Sequence, residues 1–343
     1  MRPSFDLAER TTLRVGGPVS DWVVAESEQQ VIDAVLRCDA DGIPVLVLGG
    51  GSNLLVADEG FPGTVVEIAT RGIGETEDDH GASLTIEAGE PWDDVVGYAV
   101  AQAWAGLEAL SGIPGRAGAT PIQNVGAYGQ DVSEVATAMR ALDRRTGRVV
   151  VMDSHDCGFG YRTSIFKRQP DRWVVLSVGL RLRRSQLGAV RYSELAEILG
   201  VPVGGEADVR EIRSAVLLLR RRKGMVLDEA DHDTWSAGSF FTNPVVDSAV
   251  AAAIAPECPR YPAESGVKLS AAWLIEQSGI GRGFALGPSA RAAISGKHTL
   301  ALTNRGGATA SDLVELARRI RDSVESAFSI RLEPEVRTVG CAI

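Results

Sequence analysis

At 343 residues, with 45% apolar and 23% charged side chains, the chain has the length of about two or three ordinary domains and the composition of a globular protein. A formal net charge of -10 argues against a nucleic-acid binder and against attachment to an anionic membrane surface. The opening MRPSFDLAER has no apolar core and no apolar run approaches the ~20 residues of a spanning helix, so membrane insertion is excluded and a cytoplasmic protein is expected. Cys38, Cys157, Cys258 and Cys341 are scattered without a CxxC pair, and His80, His155, His232 and His298 are equally dispersed. Reduced thiols and no metal site are expected, with Asp231-His232-Asp233 as an exposed acidic turn.

Taken in chain order, Trp22-Val23-Val24 reads as a strand, and Ser27-x-x-Gln30 as a capping box. Val31, Ala34, Val35 and Cys38 then recur at helical spacing until Gly42. Residues 44–48, PVLVL, form a buried strand running into Gly49, Gly50, Gly51, Ser52 and Asn53. This is not a GxGxxG dinucleotide fingerprint, because Leu54 holds the sixth position and no helix pattern follows. A glycine triplet with Ser and Asn still suits an anion-binding nest for a pyrophosphate. Glu75 to His80 reads as a solvated hairpin turn, and residues 84–88 as a strand. Pro91 opens a helix whose apolar face is Trp92, Val95, Val96, Ala99, Val100 and Ala103. Strands are expected over 148–151 and 173–182, a helix from Val209 to a cationic last turn at residues 220–223, and a final helix over 312–328.

The most informative segment is residues 111–129, SGIPGRAGATPIQNVGAYG. Gly112, Gly115, Gly118, Gly126 and Gly129 leave little side chain to pack, so the backbone can approach a flat, phosphate-bearing ligand and aim N–H groups at it. Gln123 and Asn124 offer amides for a heterocyclic edge. So long an irregular run inside a compact domain is usually a binding loop or disordered, and Ile113, Ile122, Val125 and Tyr128 argue against disorder.

Three further clusters carry chemistry. Arg162, flanked by aromatics in FGYRTSIFK, has the planar fork of a carboxylate clamp. Ser239 stands among small residues in SAGSFFTNP, where its hydroxyl could donate a proton; no GxSxG motif and no His at a suggestive spacing mark it as a hydrolase nucleophile. In LEPEVR, alternation puts Glu333 and Glu335 on one face of a strand.

As an ordered set, GGGSNLLV, SGIPGRAGATPIQNVGAYG, FGYRTSIFK, AGSFFTNP, KLSAAWLIE and LEPEVR resemble the UDP-N-acetylenolpyruvoylglucosamine reductase (MurB) family, and the resemblance spans residues 12–337. It implies an α+β protein: an FAD-binding fold of the PCMH/vanillyl-alcohol-oxidase type in two subdomains, residues 1–70 and 71–204, with a C-terminal α+β substrate-binding domain over 205–343. The implied activity is reduction of UDP-N-acetylglucosamine enolpyruvate to UDP-N-acetylmuramate for peptidoglycan synthesis. NADPH is the implied co-substrate, FAD the non-covalent cofactor, and the partners are small molecules acting on a monomer.

Carried over residue by residue, the resemblance makes Ser239 the proton donor and gives Arg162 with Glu335 the substrate carboxylate. Beside a carboxylate, Glu335 fits that role only when it carries or shares a proton. FAD is assigned to Gly49, Gly50, Gly51, Ser52 and Asn53, and to Ile113, Pro114, Gly115, Gly118, Ala119, Thr120, Gln123, Asn124 and Gly126. Tyr161, Tyr192, Lys223, Asn243, Tyr261 and Lys268 are the implied substrate contacts. Lys223 is followed by GMVLDEADHDTW, a longer insert than some members carry, and Thr11-Thr12 stands where the family usually has Asn-Thr. The nearest rival, an oxygen-using oxidase of the same flavin superfamily, is disfavoured by AGSFFTNP and LEPEVR.

Overall fold

Residues 5–263 and 265–343 are described by a computed structural model, in which the chain folds into two compact units. One comprises Val19–Gly50 and Pro62–Arg222; the other comprises Gly51–Phe61, Lys223–Ile343 and the N-terminal segment to Pro18. The chain thus crosses from one unit to the other between Gly50 and Gly51, inside the first glycine motif.

In the Val19–Arg222 unit, the strand Val19–Ala25 leads to Ser27, whose hydroxyl accepts from the Gln30 amide and starts the helix Glu28–Ala40. Val31, Ala34, Val35 and Cys38 turn inward, and Gly42, at φ 67°, follows the helix end. Val45–Leu48 runs parallel to Phe61–Ile68 in a small sheet that also holds Val19–Ala25. No helix follows the glycines; the short strand Leu54–Val56 does.

A larger antiparallel sheet takes the order Arg148–Asp153, Ala136–Asp143, Trp173–Arg184, Gly81–Glu87, Ile73–Asp78. The helix Trp92–Ala101 buries Trp92, Val95, Val96 and Ala99 in one core with Leu84, Ile86, Val178 and Leu180 from this sheet. Each such large side chain contributes roughly 1.5–3 kcal/mol on burial. Here the expected turn over 75–80 is corrected: Ile73–Asp78 is an edge strand, and only Asp79 and His80 make the turn. Its acidic side chains mimicked a loop because a charged edge resists pairing with another chain.

The helix Val209–Arg222 packs Ile212, Ala215, Val216 and Leu219 against Val190, Leu195 and Ala196. Its cationic end is not uniformly solvated, since Arg220 is only 8% exposed, and burial lowers its pKa despite the nearby Tyr128 and Asp93. Asp93 joins this helix to the long glycine loop: its carboxylate accepts from Arg213 at 2.6 and 2.9 Å and from the Gly112 amide at 2.6 Å.

In the other unit, Ala301–Asn304 lies between Ser236–Ser239 and Ala292–Ile294. The helix Ala310–Phe328 covers this core with Leu313, Leu316, Ala317, Ile320 and Val324; a Thr309/Asp312 capping box starts it. Val245–Val246, Val267–Leu269 and Arg260–Pro262 form a second small sheet. Arg337–Val339 pairs in parallel with Leu54–Val56, so the C-terminus closes on the segment after the glycine triplet. The expected strand through Glu333 and Glu335 is corrected: only a single bridge, Pro334 to Phe241, forms before Arg337. Proline removes the N–H that a continuous ladder would need.

Candidate active site

The two glycine motifs meet within the Val19–Arg222 unit. A Cβ on Gly50 would stand 2.7 Å from the Gly115 Cα, and one on Gly49 would touch the Arg116 side chain at 3.5 Å. A Cβ on Gly118 would stand 2.5 Å from that of Ala88. The loop is laid along residues 88–91 by Trp92 N–H to the Gly115 carbonyl, Ala117 N–H to Glu90 and Gly118 N–H to Ala88, at 2.8–3.0 Å. Ala119 and Thr120 donate their N–H groups to the carbonyls of Arg116 and Ala117. The N–H groups of Gly118, Ala119 and Thr120 are therefore committed to the loop's own fold, and these residues shape the floor instead of aiming donors at an anion.

Asn124 is buried, its amide donates to the Gly160 carbonyl at 3.2 Å, and its oxygen accepts from the Ser133 amide at 3.0 Å. These bonds brace the loop. Gln123 is half-buried beside it, Ile113 packs against the core, and Pro114 is exposed.

Arg162 is held from this loop. Its Nη2 donates to the Gly126 carbonyl at 2.7 Å and its Nη1 to that of Asn124 at 3.4 Å, while Asp131 lies 3.9 Å away. Asn124, Tyr128 and Arg162 all have positive φ, at 45°, 52° and 53°, a conformation that side chains with a Cβ rarely take. Three such residues gathered around one loop mark backbone strain stored there. The Arg162 guanidinium lies 5.6 Å from the Tyr161 ring centroid. Tyr192 meets Tyr128 edge to face at 5.3 Å, and burial pushes the Tyr128 pKa up to about 12.

Ser239 and Glu335 are both carried by the other unit. Ser239 ends a strand whose register shifts after Ser236, with Gly238 at φ 72° supplying the kink. The next residue, Phe240, donates its N–H to the Leu300 carbonyl at 2.7 Å and accepts the Glu335 N–H at 2.8 Å. The Asn53 amide donates to the Glu335 carbonyl at 3.3 Å, and the Asn53 carbonyl accepts from Arg337 N–H at 3.0 Å. Upstream, Gly51 sits at φ 62° with no room for a Cβ beside the Arg10 carbonyl, and Thr12 donates its N–H to Gly51 and its hydroxyl to the Ser52 carbonyl. Ser239, Glu335 and the 51–53 strap are thereby tied into one backbone network.

Of the other expected contacts, Tyr261 and Lys268 face each other across paired strands, with Lys268 Nζ 5.9 Å from the Tyr261 ring centroid. The Asn243 oxygen accepts from the Ala271 amide at 2.9 Å, at the start of the helix Ala271–Gln277. Lys223 is half-buried immediately after Arg222. Asp231 and Asp233 are engaged by Lys297 and Arg305, which accounts for the acidic turn. Sequence reasoning missed His298, whose Nε2 lies 3.3 Å from Ser239 Oγ. A separation of 59 positions along the chain gives no local signal for that pair.

A family model described as UDP-N-acetylenolpyruvoylglucosamine reductase, C-terminal domain, matches residues 229–339, and one described as FAD binding domain matches residues 21–153. A UDP-N-acetylenolpyruvoylglucosamine reductase of Saccharopolyspora erythraea is 55% identical, with 98% of this chain and 95% of that protein covered. A reductase of the same name from Nocardia farcinica is 53% identical over 99% of this chain and 90% of its own length. Among solved structures, the reductase from Thermus caldophilus aligns with a TM-score of 0.64 at 28% identity, covering 98% of this chain and 97% of that one.

Proposed function

Because the chain belongs to the UDP-N-acetylenolpyruvoylglucosamine reductase family, FAD-dependent enzymes that reduce enolpyruvyl-UDP-N-acetylglucosamine in peptidoglycan synthesis with NADPH, we propose the following roles for its residues. The floor formed where Gly50 packs on the Gly115 backbone and Gly49 beside the Arg116 side chain suits a flavin dinucleotide, since the glycines themselves add no side chain to it. By the family resemblance, Gly51, Ser52, Asn53 and residues 113–126 are assigned to the same cofactor. Neither segment holds a His or Cys, which supports a non-covalent cofactor. When bound, FAD supplies a two-electron relay that takes hydride from NADPH and passes it to the enolpyruvyl alkene.

Ser239 donates the proton that completes the reduction. A serine hydroxyl is a weak acid, so it serves only against a strongly basic carbanionic carbon held in contact with it. Arg162 receives the negative charge that gathers on the substrate carboxylate, with its guanidinium already oriented by the Gly126 and Asn124 carbonyls. Glu335 shares a proton with the same carboxylate. Tyr161, Tyr192, Lys223, Asn243, Tyr261 and Lys268 bind the sugar nucleotide, Lys268 at a phosphate and Tyr261 at the base; the Asn243 oxygen also accepts from the Ala271 amide.

The observation that carries these roles is the Phe240–Glu335 hydrogen bond, which fixes Glu335 one residue from Ser239. Two FAD-binding subdomains are proposed over 1–70 and 71–204, and a third domain over 205–343. Buried, unlinked Cys38, Cys157 and Cys258 support a cytoplasmic setting. No described helix is long and apolar enough to cross a membrane. A monomer is proposed, tested by light scattering on the eluting peak. The activity test is anaerobic: NADPH bleaches the bound flavin, and enolpyruvyl-UDP-N-acetylglucosamine restores its colour. Bleaching without recovery would overturn the substrate assignment.

A further inference from the structure

We propose that His298 is a positioning residue for the reaction, orienting the Ser239 hydroxyl and returning its proton. This rests on Ser239 being the proton donor. His298 lies in the turn between the strands Ala292–Ile294 and Ala301–Asn304, where its carbonyl accepts from the Ala301 amide at 3.1 Å. Ser239 pairs with Ala301 on the neighbouring strand, so the sheet itself sets the two side chains against each other, Oγ to Nε2 at 3.3 Å.

The turn is anchored from the insert that follows Lys223. Lys297 is paired with Asp231, and the Gly296 amide donates to Asp233 at 3.1 Å. Asp233 also pairs with Arg305 beyond the strand. The next residue, Thr299, donates its hydroxyl to Glu276 at 2.5 Å. The residues on both sides of His298 are therefore fixed, and the long GMVLDEADHDTW segment gains a role: its acidic turn holds the histidine in place.

The chemistry is served by a donor at this position. With Nε2–H of His298 donating to the Ser239 oxygen, the serine O–H is turned away from the histidine and can be presented to a substrate carbon. When the Ser239 O–H bond breaks and a C–H bond forms, the serine oxygen is left as an alkoxide. The His298 imidazolium then transfers its Nε2 proton to that oxygen, leaving neutral imidazole, which recovers a proton from solvent. One solvent proton is consumed for each product formed, and no redox partner beyond NADPH is involved.

The test uses the FAD-loaded enzyme and follows the two half-reactions by stopped flow in His298→Ala, His298→Gln and Ser239→Ala. Expected is an unchanged flavin content and rate of bleaching by NADPH in all three. Recolouring by substrate is expected to slow about a hundredfold in His298→Ala, the scale of a lost proton-transfer group. His298→Gln, which keeps an N–H donor and the shape of the turn, is expected to recover at least tenfold of that loss and also covers the case in which the alanine variant does not fold. Wild-type recolouring in His298→Ala, or in His298→Gln should the alanine variant not fold, with slow recolouring in Ser239→Ala, would overturn the proposal and leave Ser239 as the acid. Equal slowing of both half-reactions in a histidine variant would also overturn it, because that is the mark of a merely structural role. Wild-type recolouring in Ser239→Ala would instead remove the underlying assignment.

Discussion

The Arg162 guanidinium and the Gly126 carbonyl are joined by a 2.7 Å hydrogen bond, and a Cβ on Gly126 would lie 3.1 Å from Arg162 Nη1 and overlap the Asp131 carboxylate. The arginine is therefore set by the backbone of the same loop whose glycines are proposed to hold the cofactor. Lysine has the charge but not the fork, and cannot satisfy two carbonyls while meeting a carboxylate. Arg162→Lys should lower kcat by about 10²–10³, the scale of a lost oxyanion donor, with NADPH bleaching intact. Equal kcat in the variant would show that the fork is not used.

Gly50 tests the floor. A Cβ there meets the Gly115 backbone at 2.7 Å, and neither side is a flexible side-chain tip that could step aside. Gly50→Ala should force the two loops apart and purify with less flavin, its FAD Kd raised at least about tenfold, or ~1.4 kcal/mol. Acid precipitation of the wild type should release all flavin into the supernatant. Flavin retained in the pellet would mean a covalent link that these loops do not provide for.

Asp93 gives a pH dependence with a definite sign. Burial raises its pKa, but the Arg213 hydrogen bonds, the Gly112 amide and the charges of Arg213 and Arg220 outweigh it, and the net shift is downward. A lowered carboxylate pKa contributes stability that is full above the unfolded value of about 3.9 and is lost as pH falls through the folded value. With the carboxylate 38% exposed, solvent screening limits the contribution to about 1–2 kcal/mol. Urea unfolding should therefore show Asp93→Asn less stable than wild type at pH 7, and the gap should narrow steadily as pH falls below about 4. A gap that does not narrow would assign the effect to packing.

Much of this was legible in the chain. The helices Glu28–Ala40, Trp92–Ala101 and Ala310–Phe328 follow from apolar periodicity, with side-chain caps on the first and last, because that signal is local in sequence. Two elements were misread for a common reason: the acidic strand Ile73–Asp78 and the irregular stretch before Arg337 take their form from what lies beside them, not from their own pattern. The same holds for single residues. Ser239, Arg162 and Glu335 stand in motifs, whereas the approach of His298 to Ser239 is set by strand pairing, and the loop bracing by Asn124 is not revealed by composition.

Lys268 and Tyr261 separate binding from chemistry. Their side chains share one face of a two-strand contact, the ammonium near the ring. Lys268→Ala should raise KM for the sugar nucleotide about tenfold, with kcat and the NADPH half-reaction little changed, as expected when an interaction is equal in ground and transition states. A fall in kcat without a change in KM would place Lys268 at the reacting end instead.

Proton donation by Ser239 is the central claim, and single-turnover recolouring of Ser239→Ala tests it most directly. The enzyme is first reduced anaerobically with one equivalent of NADPH and then mixed with enolpyruvyl-UDP-N-acetylglucosamine. Normal flavin content and normal bleaching are expected, with recolouring slowed by about 10²–10⁴, the range for loss of a general acid. Recolouring at the wild-type rate would contradict the claim.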